Sequence, residues 1–181
     1  MRRARALAGA GLAVALAFCA TGAWTYAQAR SDDTLAYGRA RDTALDDGRH
    51  ALAVLNTLDA STQKRAEVGV RAWRTVATGP LRDELGTTRA RQGPSARGTV
   101  TEAAVTALDT RAGTAKLIAT VRVDVTPVGS RTATPQRKRL EAVLARDGDG
   151  RWRVRALGAI PQAGDGASES PAPRKSKGGT R

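Results

Sequence analysis

Catalysis and metal binding need groups that ionise, coordinate or attack, and few such groups in this chain could converge. There is one histidine, His50, and one cysteine, Cys19. An intrachain disulfide and a multi-Cys/His zinc site are therefore excluded. His50 follows Arg49 on a stretch with helical periodicity, where a place at the surface or core edge is expected rather than a catalytic one. Cys19 lies deep in an apolar run. Asp124 and Glu141 fall on predicted strands, out of phase with the Val and Leu positions around them, which predicts solvated carboxylates. Acid–base catalysis requires a carboxylate or histidine held in a pocket with a tuned pKa. The sequence offers no nucleophile beside a base, no Gly-rich phosphate loop after a strand and no metal-ligand spacing. No catalytic, cofactor-binding or metal-ligating residue is assigned, no cofactor is expected, and the chain is read as a non-enzyme.

The charge balance bounds the partners. Across 181 residues, 30 Lys+Arg face 17 Asp+Glu, a net charge of +13. Such a surface suits nucleic acid or anionic lipid headgroups, or is simply solvated. Single-strand binders stack bases on exposed aromatic rings. Here Phe18, Trp24 and Tyr26 cluster near the N-terminus, and Tyr37, Trp73 and Trp152 fall at apolar-phase positions expected in a core. Nucleic acid is not expected as a partner. With so few aromatics, the core must be built from Ala, Val and Leu.

Residues 6–29 hold no charge and are bracketed by Arg5 and Arg30. At about 1.5 Å per residue, such a helix exceeds a hydrocarbon core about 30 Å thick. Arg2, Arg3 and Arg5 precede the run, so residues 1–5 are expected in the cytoplasm and residue 31 onward outside. Trp24 and Tyr26 sit at its distal end, where amphipathic rings favour the interface. The run is long for a signal-peptide core, so a retained anchor in the cytoplasmic membrane is expected. The alternative is cleavage after Ala27-Gln28-Ala29, which would release a secreted domain.

Beyond the run, Ser31-Asp32-Asp33 reads as a helix start. Tyr37, Ala40, Ala44, Ala51, Leu55 and Leu58 then form an amphipathic stripe of about seven turns. A second helix follows Ser61 and carries Val68, Ala72, Trp73 and Val76; a short third one starts at Thr78-Gly79-Pro80 and ends near Gly86. After Pro94 the period changes to two. Strands are predicted over 98–108, 114–128, 137–146 and from 152, with a hairpin turn at Asp147-Gly148-Asp149-Gly150. Trp152 and Val154 face inward, with Arg151, Arg153 and Arg155 toward solvent. Residues 161–181 are rich in Gly, Ser, Pro and Lys and read as a disordered basic tail. Helices followed by strands give an α+β class, helices packed on a four-stranded antiparallel meander.

The order and spacing of these fragments resembles the Mce-associated membrane proteins, accessory subunits of bacterial Mce lipid-import systems. The resemblance covers roughly residues 1–160. It rests on the N-terminal helix, on Asn56-Thr57-Leu58-Asp59, and on Ala77-Thr78-Gly79-Pro80-Leu81-Arg82-Asp83-Glu84-Leu85. It continues in Gly98-Thr99-Val100 and in Asp147-Gly148-Asp149-Gly150-Arg151-Trp152-Arg153-Val154. It implies an NTF2-like cone over residues 31–160, outside the membrane and without catalytic motif. It further implies Mce-type transporter subunits as partners, with lipid or sterol as cargo. The alternative is an NTF2-like enzyme or a small apolar-ligand-binding protein.

Mass spectrometry of the mature protein checks the anchor. The expected N-terminus lies upstream of residue 29; a start at Arg30 identifies a cleaved, secreted domain.

Overall fold

The computed structural model describes residues 18–28 and 33–160. The predicted cytoplasmic stub 1–5, residues 6–17 and 29 of the predicted span, and the tail 161–181 lie outside these. Among the described residues, no helix is long and apolar enough to cross a membrane. Residues 18–28 form a helix, α1, in which the Thr25 hydroxyl donates to the Thr21 carbonyl and Phe18, Trp24 and Tyr26 are exposed.

Three further helices, α2 (Asp33–Leu55), α3 (Gln63–Val76) and α4 (Gly79–Thr87), precede four strands. The strands β1 (Ser95–Asp109), β2 (Thr114–Thr126), β3 (Thr134–Arg146) and β4 (Trp152–Ala159) pair in sequence order, each antiparallel to the next. The architecture is α+β, with helices packed on one face of a meander. Alternation builds that face: Ala115, Leu117, Ala119, Val121 and Val123 of β2 are buried, as are Leu140, Ala142 and Leu144 of β3 and Trp152 and Val154 of β4. Pairing carries β1 and β3 upstream of their predicted starts, whereas β2 stops at Thr126, two residues short of its predicted end. β1 begins at Ser95 opposite Thr126, and β3 begins at Thr134 opposite Val125.

α2 lies across this inner face. Ala44, Ala51 and Leu52 are buried in the shared core. The stripe predicted for α2 departs at its start, where Tyr37 is 47% exposed. The helix, about 35 Å long, is first buried at Ala44, so Tyr37 precedes the part that reaches the sheet. Two glycines permit the close approach farther along. A methyl at position 48 would sit 3.0 Å from Leu144 Cδ1 and 3.2 Å from Leu117 Cδ1. One at position 98 would sit 2.5 Å from Asn56 Cβ and 3.1 Å from the Asn56 backbone. Asp47 adds a polar anchor, its Oδ2 accepting the Trp152 backbone N–H at 2.9 Å.

α3 is tethered at both ends to opposite edges of the sheet. Before it, Leu58 and Ala96 exchange N–H to carbonyl bonds of 2.8 Å beside β1. After it, the Thr78 N–H donates to the Val154 carbonyl of β4 at 2.9 Å. Thr62 caps the helix start by accepting the Arg65 N–H, and the Trp73 indole N–H donates to the Thr57 carbonyl at 2.9 Å. These restraints select which stripe of α3 is buried. Ala66 and Val70 are buried and Trp73 is half-buried, whereas Val68 is 52% exposed and Ala72 is also exposed. The expected Val68/Ala72 stripe is thus corrected: two apolar stripes share this helix, and the tethers choose the other.

Trp152, 4% exposed, fills the space between β4 and the helices. Trp152→Ala is expected to destabilise the fold by about 3–5 kcal/mol. Gly98→Ala, which must push α2's end from β1, is expected to cost about 1–3 kcal/mol. Urea denaturation followed by circular dichroism measures both. Wild-type midpoints would contradict this packing.

Candidate functional site

The helix stripe left outside the core has a partner across a groove. His50, Ala53, Val54 and Thr57 on α2 and its C-terminal extension have the spacing three, one, three. Arg65, Val68, Gly69 and Ala72 on α3 repeat it. Each set forms one helical face, and with Asp59 they border an open groove of about 560 Å³. The walls are apolar. One end is marked by His50, the other by the ion pair of Asp59 Oδ2 with Arg65 Nη1 at 3.0 Å. The Ser61 hydroxyl, donating to Asp59 Oδ1 at 2.6 Å, is the largest of the influences that lower the Asp59 pKa; the Ser61 backbone N–H and Arg65 add to it. The groove can therefore seat an apolar body with a polar group against the Asp59–Arg65 end.

The structure does not bring His50, Asp124 and Glu141 together. His50 is exposed on the helical layer, where it also borders a smaller polar depression of about 220 Å³ with Asp47, Arg151 and Trp152. Asp124 and Glu141 lie on the outer face of the sheet, off the core. Asp124 accepts from Arg122 Nε at 3.0 Å, and Glu141 is 3.9 Å from Lys116 Nζ. Cys19 is exposed on α1. Among the described residues, no group of three or more His, Cys, Asp or Glu could hold a metal ion.

Sequence reasoning missed two features. The groove was legible only as the repeated three-one-three spacing, which it shares with any buried stripe. The second is Arg153, whose side chain is only 22% exposed. It pairs with Asp147, donates to Asp149 Oδ2 at 2.6 Å and donates through Nε to the Thr75 carbonyl at 3.2 Å. Thr78 reinforces the cluster, its hydroxyl donating to Asp147 Oδ1 at 3.2 Å. Arg153 thus joins the β3–β4 hairpin to the end of α3 instead of standing free in solvent. The Arg151 backbone N–H, then Arg153, hold the Asp149 pKa below its ordinary value, and Asp149 raises that of Arg153.

No family model matches the sequence, and no curated protein matches it. Among solved structures, an Ntf2 like protein involved in plasmid conjugation is similar with a TM-score of 0.41 and 13% identity, over 70% of this chain and 49% of that one. The chain thus spans about half the length of that protein. A structure from Catenulispora acidiphila is similar with a TM-score of 0.38 and 16% identity, over 76% of this chain and 94% of the other.

Two measurements probe the Arg153 cluster. Arg153→Ala is expected to cost about 1–2 kcal/mol, since it removes charge-assisted bonds from a half-buried donor. Asp149, with its folded pKa depressed, stabilises the fold above the unfolded carboxylate value of 3.8, and this is lost as pH falls through the folded value. Asp149→Asn is therefore expected to lower the melting temperature at about pH 6 and to flatten its decline between about pH 5 and 2.5. Calorimetry at several pH values reads both; parallel profiles for variant and wild type would refute the role.

Proposed function

We propose that this chain is a non-enzymatic, membrane-anchored accessory subunit of an Mce-type lipid or sterol import system. Residues 31–160 act as an NTF2-like domain outside the cytoplasmic membrane, and residues 6–29 hold it there. The sequence resemblance supplies the transporter. The observation that carries the domain's role is the filling of the sheet's inner face: Leu52 of α2 and Leu117, Val121, Leu144 and Val154 of the sheet are fully buried against one another. Side chains occupy the space where an enclosed reaction chamber would lie, so work falls to the surface. The separation of His50 from Asp124 and Glu141 by the sheet supports the same reading. NTF2-like organisation is supported by the element order, helices first and then a meander whose two edges α3 joins.

The groove between α2 and α3 supports a second reading, a small apolar-ligand-binding protein. Under it, the Asp59–Arg65 pair receives the polar end of a lipid or sterol. Trp73, bonded to the groove residue Thr57, reports occupancy. A sterol or fatty-acid probe that shifts tryptophan fluorescence, with the shift abolished in Val68→Asp, supports ligand binding in the groove.

Co-purification from the native membrane tests the accessory role. The detergent-solubilised full chain is expected to carry transporter subunits with it, and a chain lacking residues 162–181 is expected to do the same. Recovery without any transporter subunit, in cells that express one, would overturn the proposal.

A further inference from the structure

The charge of the folded chain is concentrated at one end. Near the β1–β2 and β3–β4 turns, residues 33–49, 109–113 and 146–155 hold eight basic and seven acidic side chains. At the opposite end, residues 56–67, 88–101 and 120–139 hold ten basic and three acidic ones. The topology sets these apart. Asp47 of α2 bonds Trp152 beside the β3–β4 turn, whereas Leu58, past the end of α2, pairs with Ala96 at the start of β1.

On the outer face of the sheet, the basic end presents an arginine array. Arg122 of β2 and Arg137 of β3 are direct cross-strand partners. Arg139 lies two residues along β3 on the same face, and Arg97 of β1 stands opposite Asp124. Asp124 pairs with Arg122, and Glu102, opposite Thr120, is the next acid on that face. Arg97, Arg137 and Arg139 make no ion pair among the described residues. Like charges directly opposite one another weaken a sheet, so the fold gains nothing from Arg122 beside Arg137. Guanidinium groups carry fixed positive charge and bond phosphate oxygens readily.

Two features narrow the partner. Trp152 is buried between sheet and helices, Trp73 of α3 bonds the Thr57 carbonyl and Tyr37 stands on the first turns of α2, so the array lacks a surface on which unpaired bases could stack. The β2–β3 loop beside it carries Val128, 68% exposed, three residues from Arg131. We propose that this end of the domain docks on an anionic lipid bilayer. Arg97, Arg122, Arg137 and Arg139 contact headgroup phosphates, and Val128 reaches the headgroup layer. An array spread over three strands fits a lattice of phosphates better than a single linear polymer. The inference rests on charge and register, not on the transporter reading, and goes beyond it.

The full chain is incorporated in phosphatidylcholine nanodiscs and mixed with separate vesicles, so that the anchor is already occupied. A chain that stays out of the discs is assayed free, which separates failure of the anchor from failure of this docking. Vesicles containing 30% phosphatidylglycerol, about the anionic content that gives a useful surface potential, are expected to capture it at low salt. Capture is expected to fall steeply toward about 0.3 M salt. The Arg122→Gln/Arg137→Gln/Arg139→Gln variant is expected to bind about 30-fold or more weakly, and Arg39→Gln/Arg41→Gln, at the other end, unchanged. Arg137→Gln alone and the triple Arg→Lys variant serve where the triple Gln chain melts early; a several-fold loss and near-retention are expected. Equal capture by pure phosphatidylcholine, undiminished capture of the Gln variants, or displacement of the vesicles by an equal charge of duplex DNA would overturn the proposal.

Discussion

Everything in this domain depends on one helix lying close against the sheet. A core assembled from alanine, valine and leucine fills only a thin layer, so α2 must come close enough for small side chains to meet. Gly48 above Leu117 and Leu144, and Gly98 beneath Asn56, leave out the methyl groups that would hold the layers apart. The single large contributor, Trp152, sits at the hairpin end, where Asp47 fixes its backbone. Without this approach, the paired bridges that hold α3 to the sheet edges could not both close.

Those bridges explain why part of the helical layer stays open. Tethered at Leu58 and at Ala77–Thr78, α3 has one rotation about its axis that satisfies both ends. That rotation buries Ala66 and Val70 and turns Val68 and Ala72 toward α2 without contact deep enough to cover them. The groove is a by-product of edge pairing, and its polar end is set by the same linker: Asp59 bonds Ser61 and pairs with Arg65.

The meander was legible because apolar residues hold every second position of β2 from Ala115 to Val125, and one buried face leaves a single register. The turn Asp147-Gly148-Asp149-Gly150 was legible for its own chemistry. The α3 face was not, because its apolar residues fit two stripes and the choice is made by contacts with Ala96 and Val154, distant in sequence. Arg153 also escaped notice: alternation placed it correctly opposite Trp152, but its acidic partners in the turn were invisible to a strand-phase argument. Of the site, the sequence placed Asp124 and Glu141 out of phase with the core; the groove required knowing which helix face the edges had already taken.

The bond between Asp47 and the Trp152 backbone spans 105 residues, and Thr78 reaches Asp147 across 69. A chain delivered from its N-terminus therefore presents α2 long before the last strand that completes its seat. Through most of synthesis, Ala44, Ala51 and Leu52 have only part of their final surroundings. Local hairpins can form in turn as β1, β2 and β3 appear, but β4 supplies the closing partner for both α2 and the end of α3. Maturation is thus postponed to the final tenth of the described residues, and a product stopped before Val154 would carry an unclosed apolar helix face. Such a product would be a natural substrate for a holdase or a protease rather than a smaller working domain.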